Sequence, residues 1–317
     1  MAEKEDGNSF RILSDVKDAY MAPDGAGIHP REASRHHEEL CSAIVGKSLL
    51  DAQLRVGDLD FVSYSAGPGL GPCLRVGAVL ARTISSYFDL PLVAANHAIG
   101  HIELGKYLTG VRDPLVLIIS GGHTALAAME DGAWKIFGET LDLTLGQLLD
   151  LLGRSIGFSS PAGQKIEQLA LAGGSGRFLL SDLPYTIKGN DVSYSGLLTA
   201  SKSLLSRENR KEDVAFAVQE VAFSILAEAT ERALAFTMKS ELLVTGGVAA
   251  NQRLAAILWK MCDARRVRLG VIPRQFAGDC GAQIAAVGFD LYDRRKTISP
   301  INAFTRQSWR IDQVAVN

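Results

Sequence analysis

The sequence predicts an α/β fold, and three observations carry that expectation. Short apolar runs end in glycine-rich turns and lead into helix-like segments near 61–85, 114–124 and 241–262. Long amphipathic stretches occupy about 31–50, 211–238 and 279–294. A strand followed by Ser/Thr-Gly-Gly recurs near 120 and near 245. Two similar halves closing on a cleft, as in a two-lobed nucleotide-binding fold, would produce that doubling.

Each element has a local reason. Pro30 suits the first turn of a helix, where its missing N–H costs nothing. His36-His37-Glu38-Glu39 falls in that charged segment and reads as a solvated or partner-facing face. Phe61 to Ser65 is a strand candidate running into Ala66-Gly67-Pro68-Gly69-Leu70-Gly71, and Leu74 to Ser85 reads as the following helix. Pro114 to Ile119 is an apolar strand ending in Ser120-Gly121-Gly122-His123-Thr124. Residues 213–236 carry apolar side chains at helical spacing and read as core, beside an exposed charge run from Arg207 to Asp213. Glu241 to Val244 is a strand ending in Thr245-Gly246-Gly247, with a helix from about Asn251 to Cys262.

Composition narrows the class. The 317 residues, 47% hydrophobic and 21% charged, suffice for one large or two ordinary domains with real cores. No apolar run reaches the ~18 residues a spanning helix needs, and the charged start MAEKEDGNSF lacks a signal-peptide core, so a cytoplasmic protein is expected. Cys41, Cys73, Cys262 and Cys280 show no CxxC spacing and read as reduced thiols. A net charge of -2 is not the footprint of bulk-charge nucleic-acid binding, so an RNA partner needs a local basic patch or helper subunits.

Two places can carry chemistry. Asn96-His97-Ala98-Ile99-Gly100-His101 sets two histidines four apart; on a helix both imidazoles share one face and can share one metal ion. Two solvated histidines on a polar face fit the same spacing. Ala98 follows the first histidine where the HExxH metalloprotease pattern needs its glutamate, and Glu103 does not restore it. Asp279, between glycines at a helix start, is a candidate third ligand and also a natural N-cap. The Ser-Gly-Gly turns let backbone N–H groups approach phosphate oxygens, yet neither is a Walker sequence.

Longer strings go further. Gly27-Ile28-His29-Pro30-Arg31-Glu32-Ala33, the stretch from Gly67 to Arg75, the His97/His101 pair, Ser120 to Thr124, Asp191-Val192-Ser193-Tyr194-Ser195-Gly196-Leu197 and Gly246-Gly247-Val248-Ala249-Ala250-Asn251 occur together and in order. The series, over about residues 20–295, resembles the universal tRNA threonylcarbamoyladenosine transferase family. That family includes bacterial TsaD and the catalytic subunit of the KEOPS complex, and its members were once described as O-sialoglycoprotein endopeptidases. The resemblance implies an actin-like, two-lobed ATPase fold with a nucleotide and metal cleft between the lobes. One lobe would span 1–112, with 290–317 packing on it, and the other 113–289. His97, His101 and Asp279 match the family's catalytic metal ligands, with zinc or iron compatible. Ile118, Ile119, Ser120, Gly121 and Gly122 match the stretch at the adenylate phosphate, Asp150, Gly163 and Glu167 the ribose and its neighbourhood, and Asn251 a further nucleotide contact.

The implied reaction transfers threonylcarbamoyl from threonylcarbamoyl-adenylate to the exocyclic amine of the adenosine beside the tRNA anticodon. Implied partners are tRNA, a kinase-like ATPase subunit and a small dimerising subunit, or the bacterial accessory proteins, with no membrane. The wording Gly247 to Asn251 favours the KEOPS branch, whereas His123 is nearer the bacterial wording. Four departures stand out. The start, Met1-Ala2-Glu3-Lys4, reads as lying inside the first turn, without the family's opening strand, as a late start codon would leave it. Ile118 stands where archaeal members carry tyrosine, Gln147 and Leu148 replace an Asn-containing stretch, and Cys280 stands where Asn is common. Competing readings are a non-catalytic scaffold paralogue, favoured by the missing strand, and an actin-like small-molecule kinase. The imidazole pair argues against the latter, because magnesium prefers oxygen ligands. A zinc peptidase ranks last for want of its glutamate.

Overall fold

The computed structural model describes residues 1–5, 9–23, 27–173 and 176–314, so the last three residues of the 290–317 segment lie outside the described residues. The chain forms two compact units. The first comprises Met1–Tyr20, Ile28–Gly110 and Asp279–Asn317; the second comprises Met21–Gly27 and Val111–Gly278.

The first unit opens with an antiparallel hairpin, β1 (Ala2–Glu5) against β2 (Ser9–Ile12). The expectation that Met1 to Lys4 lies inside a turn is therefore corrected. Side chains explain the extended form: Glu3 pairs with Arg11 across the hairpin and Lys4 reaches Asp293. Phe10 stacks on Tyr107 at 4.9 Å. Helix α1 (Pro30–Ala52) starts with proline in its first turn, as its sequence expects. Strand β3 (Val62–Gly67), helix α2 (Gly71–Phe88), strand β4 (Leu92–Asn96) and helix α3 (His97–Thr109) follow, with β3 and β4 parallel. Tyr64, Ala66, Ala78, Ala81, Leu92 and Ala303 make a buried cluster between sheet, α2 and the C-terminal segment. Gly67 is obligatory there: its φ is +145°, and a Cβ would lie 1.9 Å from the Arg306 carbonyl oxygen.

The second unit is built on a five-stranded sheet. Its strands are β5 (Leu115–Ile119), β6 (Thr124–Glu130), β7 (Ala133–Glu139), β10 (Glu241–Thr245) and β11 (Arg268–Val271), with β8 (Ile187–Lys188) and β9 (Asp191–Val192) forming a separate small ribbon. The order is β11-β10-β5-β6-β7, with β11, β10 and β5 parallel and β6 and β7 antiparallel. Every residue of β5 is buried, which suits its unbroken LVLII run. Helices α4 (Leu145–Ile156), α5 (Gly163–Leu171), α6 (Ser195–Ser206), α7 (Lys211–Thr237), α8 (Gln252–Arg265) and the short α9 (Arg274–Ala277) complete the unit. α7 is the core helix that its apolar spacing expects, with Val218, Ala222, Phe223 and Ile225 fully buried. The two Ser/Thr-Gly-Gly turns do not mark two halves. They leave β5 and β10, which are parallel neighbours with Thr245 opposite Ile118.

The chain then returns to the first unit with α10 (Gly281–Asp293), and Ile298 bridges back to Leu92. Among the described residues no helix is long and apolar enough to cross a membrane. All four cysteines are free.

Asn96 joins β4 to α3. Its Oδ1 accepts from the N–H groups of Ala98 (2.9 Å) and Ile99 (3.1 Å), while Nδ2 donates to the Trp309 carbonyl at 3.2 Å. The residue is 2% exposed, so these groups have no water to fall back on. Asn96→Ala is expected to cost about 1–2 kcal/mol in urea unfolding, and Asn96→Ser to recover most of it.

Candidate metal centre

The histidine pair lies where α3 begins. His97 is its first residue and His101 comes one turn later, so both rings share one face, 4.9 Å apart and nearly perpendicular. Asp279 lies two residues before α10. It is not that helix's N-cap, a role that falls to Cys280. Its carboxylate instead faces the histidines, with Oδ1 3.4 Å from His97 Nε2 and 3.3 Å from His101 Nε2.

A missing side chain allows this approach. Gly100 sits between the two histidines, and a Cβ there would lie 2.8 Å from the Gln283 carbonyl oxygen of α10. Close contact between the two helices carries Asp279 to the imidazoles. Phe10 touches both Tyr107 of α3 and Phe289 of α10, clamping the same pair from the hairpin side.

The electrostatics of the three residues are coupled. Crowding by protein atoms pushes the Asp279 carboxyl up, but hydrogen bonds from His101 and His97 outweigh it and hold the group well below the usual carboxylate range. Burial pushes His101 down, and Asp279 only partly offsets this, so His101 favours the neutral form that ligates. His101 is 1% exposed, whereas the Asp279 side chain is 73% exposed on its other flank. One ligand atom from each residue falls within 4.8 Å of the others. Tetrahedral donors ~2.0–2.1 Å from a zinc ion stand roughly 3.3 Å apart, matching the two nitrogen-to-oxygen separations here. Two imidazoles and a carboxylate therefore fit a borderline cation such as zinc or iron.

Neighbouring polar residues do not enlarge the set. Glu103 is engaged by Lys106 Nζ at 3.1 Å. On α1, His36 meets Asp18 and His37 meets the Ala33 carbonyl, as a solvated helix face would. Burial pushes the Cys280 thiol up, and Sγ faces Gln283 Oε1 at 3.9 Å, so it stays a protonated neighbour.

The nucleotide candidates all lie in the second unit. Because β5 and β10 are parallel, Ser120-Gly121-Gly122 and Gly246-Gly247 leave the same edge of the sheet, where α/β proteins commonly bind ligands. Gly246 has φ +96°, and a Cβ would lie 2.4 Å from the Ile119 carbonyl oxygen, so the two turns press together. Ser120 Oγ accepts from the N–H groups of Gly122 (3.2 Å) and His123 (3.0 Å), closing its own turn. Ile118 and Ile119 are fully buried strand residues whose side chains lie in the core below the turn. Asp150 Oδ1 accepts from Ala162 N–H at 2.7 Å, just before Gly163 opens α5. Glu167 Oε1 accepts from Gln252 N–H at 2.7 Å. Asn251 caps α8 through Oδ1 and donates to Gln219 Oε1 at 3.0 Å.

Sequence reading missed several supports. Thr144 caps α4 and its hydroxyl donates to the Gly121 carbonyl at 3.0 Å. A Cβ on Gly146 would lie 2.6 Å from the Ser120 carbonyl oxygen, which seats the start of α4 on the turn. Thr144 and Gln147 form a capping box, visible in the sequence as Thr-x-x-Gln. Gln283 also escaped notice: it is 1% exposed, with Nε2 3.0 Å from His97 Nδ1.

These features define an α/β protein with a cluster of two histidines and a carboxylate that could hold a metal ion on one unit, and glycine turns at one end of a sheet on the other. Comparison with known proteins names the family. The family model for TsaD, tRNA N6-adenosine threonylcarbamoyltransferase, matches residues 11–286. The chain belongs to that family. It is 42% identical over 313 residues to a tRNA N6-adenosine threonylcarbamoyltransferase of Sulfurisphaera tokodaii, covering 98% of this chain and 92% of the relative. A Methanothermobacter thermautotrophicus relative, described as a probable bifunctional tRNA threonylcarbamoyladenosine biosynthesis protein, is 43% identical over 296 residues, covering 93% of this chain and 55% of its own length. The crystal structure of HypF from T. kodakarensis superimposes with a TM-score of 0.63 at 13% identity, over 81% of this chain and 43% of that one, a likeness of fold alone.

Gly100→Ala should separate α3 from α10 and weaken zinc binding on the order of tenfold or more without touching a ligand, measured by chelator competition. Gly46→Ala, whose Cβ meets nothing within 4 Å on α1, should leave zinc affinity unchanged and raise stability by about 0.5–1 kcal/mol.

Proposed function

We propose that this chain transfers the threonylcarbamoyl group of threonylcarbamoyl-adenylate to the exocyclic amine of the adenosine next to the tRNA anticodon, releasing AMP. Family membership along nearly the whole chain, joined to an intact His97, His101 and Asp279 set, carries the reading. The amine nitrogen bonds to the carbamoyl carbon, the bond from that carbon to the phosphate oxygen breaks, AMP leaves with the electron pair, and the amine proton passes to solvent. When bound, zinc or iron at the three residues supplies Lewis acidity toward the carbonyl or phosphate oxygens. His97 and His101 offer it imidazole nitrogens, and Asp279 offers a carboxylate oxygen on an exposed flank.

The second unit takes the adenylate. The Ser120 to Gly122 turn and the start of α4 approach its phosphate, while Asp150, Gly163, Glu167 and Asn251 face the nucleoside. The two turns share one end of the sheet, and Glu167 bonds to Gln252 N–H beside Asn251, which supports this assignment. The two compact units are the lobes of an actin-like fold, a reading supported by the likeness to HypF. A kinase-like ATPase subunit and a small dimerising subunit assist docking of tRNA in the cytoplasm. A relative described as bifunctional supports coupling to a second activity, and the net charge of -2 supports a need for helpers.

The test combines the chain, its partner subunits, synthetic threonylcarbamoyl-adenylate and unmodified tRNA, read by nucleoside mass spectrometry. Modified adenosine is expected from the wild type. In His97→Ala and Asp279→Ala, product should fall at least about a hundredfold with loss of metal by elemental analysis, while the fold persists by circular dichroism. No product from the folded, metal-loaded wild type would overturn the transferase. Full transfer with stoichiometric metal in both variants would overturn the site.

A further inference from the structure

Gln283 is a long polar side chain in the first turn of α10, almost wholly withdrawn from water. A buried amide costs free energy unless it is hydrogen-bonded, so its partners explain its presence. There are three. Nε2 lies 3.0 Å from His97 Nδ1, and Oε1 lies 3.4 Å from the Cys280 N–H and 3.9 Å from Cys280 Sγ. The capping bond is long, while the contact to the imidazole is of ordinary length. The Gln283 backbone is also the part of α10 that packs on Gly100, which fixes the amide relative to the α3 histidines.

The orientation of this amide sets the tautomer of His97. With Nε2 of Gln283 toward the ring, Nδ1 accepts, and the imidazole proton sits on Nε2, aimed at Asp279. Binding a cation through Nε2 demands the opposite tautomer, in which Nδ1 carries the proton and needs an acceptor. Turning the amide over supplies one. Oε1 then takes the Nδ1 proton, and the NH2 group faces Cys280 Sγ, a weak acceptor. The long cap bond from the Cys280 N–H and the weak contact from its thiol are given up in exchange.

We propose that Gln283 is the positioning residue that sets His97 for metal binding, its amide oxygen accepting the Nδ1 proton so that Nε2 is free to ligate. The inference rests on reading His97, His101 and Asp279 as a metal set. A hydrocarbon side chain at position 283 removes the acceptor and leaves the partly buried Nδ1–H without that partner when the ion binds. A glutamate keeps the acceptor and strengthens it.

The full-length chain tests this. Zinc affinity of wild type, Gln283→Leu and Gln283→Glu is measured by competition with a chromophoric chelator. The ring tautomer of His97 in the zinc-loaded wild type is read from long-range nitrogen–proton NMR, assigned with His97→Ala. Gln283→Leu should bind zinc about 10–100-fold more weakly, and Gln283→Glu at least as tightly as wild type. The loaded His97 ring should carry its proton on Nδ1. Equal affinities in wild type and Gln283→Leu would overturn the proposal. So would a loaded ring protonated at Nε2, a result that needs no variant to fold. A wild-type chain that binds neither zinc nor iron would overturn the metal set itself, and is told apart because no variant is then needed.

Discussion

The contact between α3 and α10 at Gly100 is the constraint on which the grouping of His97, His101 and Asp279 depends. Two histidines a turn apart form a two-ligand face, and nothing on α3 supplies a third. The third comes from Asp279, 178 residues beyond His101. It reaches the imidazoles because the helix carrying the histidines has hydrogen where any other residue would place a Cβ against the Gln283 carbonyl oxygen. The hairpin contributes through Phe10, and β4 through Asn96, which ends the strand and starts the helix one residue before His97. Side chains far from one another in sequence thus share the task of holding three atoms within one ion's reach.

The second unit solves a related problem with backbone. Its glycine turns leave adjacent parallel strands, and each turn is seated by a contact that a side chain would forbid: Gly246 on Ile119, and Gly146 on Ser120. Thr144 adds a hydrogen bond to the Gly121 carbonyl. The turns are consequently held by close packing and by that hydrogen bond.

Much of this was legible in sequence wherever the signal was local. The unbroken run of β5 and the apolar spacing of α7 announce themselves, as does the proline at the start of α1. His97 and His101 were legible because four residues is one helical turn. The hairpin β1–β2 was not, since its strands are short and charged and owe their order to Lys4–Asp293 and to Phe10. Nor could two glycine turns about 125 residues apart be placed on neighbouring strands of one sheet, because parallel pairing leaves no mark at that separation. Asp279 was reached through family resemblance, since an aspartate before a helix ordinarily reads as a cap. Gln283 was hidden for a similar reason: a glutamine three residues after a cap position looks like half of a capping box.

Bonds to helix starts also hold several of the second unit's polar residues in fixed orientations. Asp150 gives Oδ1 to Ala162 N–H, and Glu167 gives Oε1 to Gln252 N–H. Asn251 gives Oδ1 to two N–H groups of α8. Each bond fixes a rotamer at a helix start. A carboxylate has two oxygens with about four acceptor positions, so one bond to backbone leaves capacity while removing the entropy of orienting it. Residues that look structural by their hydrogen bonds are, on this account, preorganised by them. A free aspartate or glutamate on a solvated face would have to lose about 1–2 kcal/mol of rotamer freedom when a ligand arrived. Here helix capping has already met most of that cost in folding, and the contact of Gln283 with His97 Nδ1 restrains that ring in the same way.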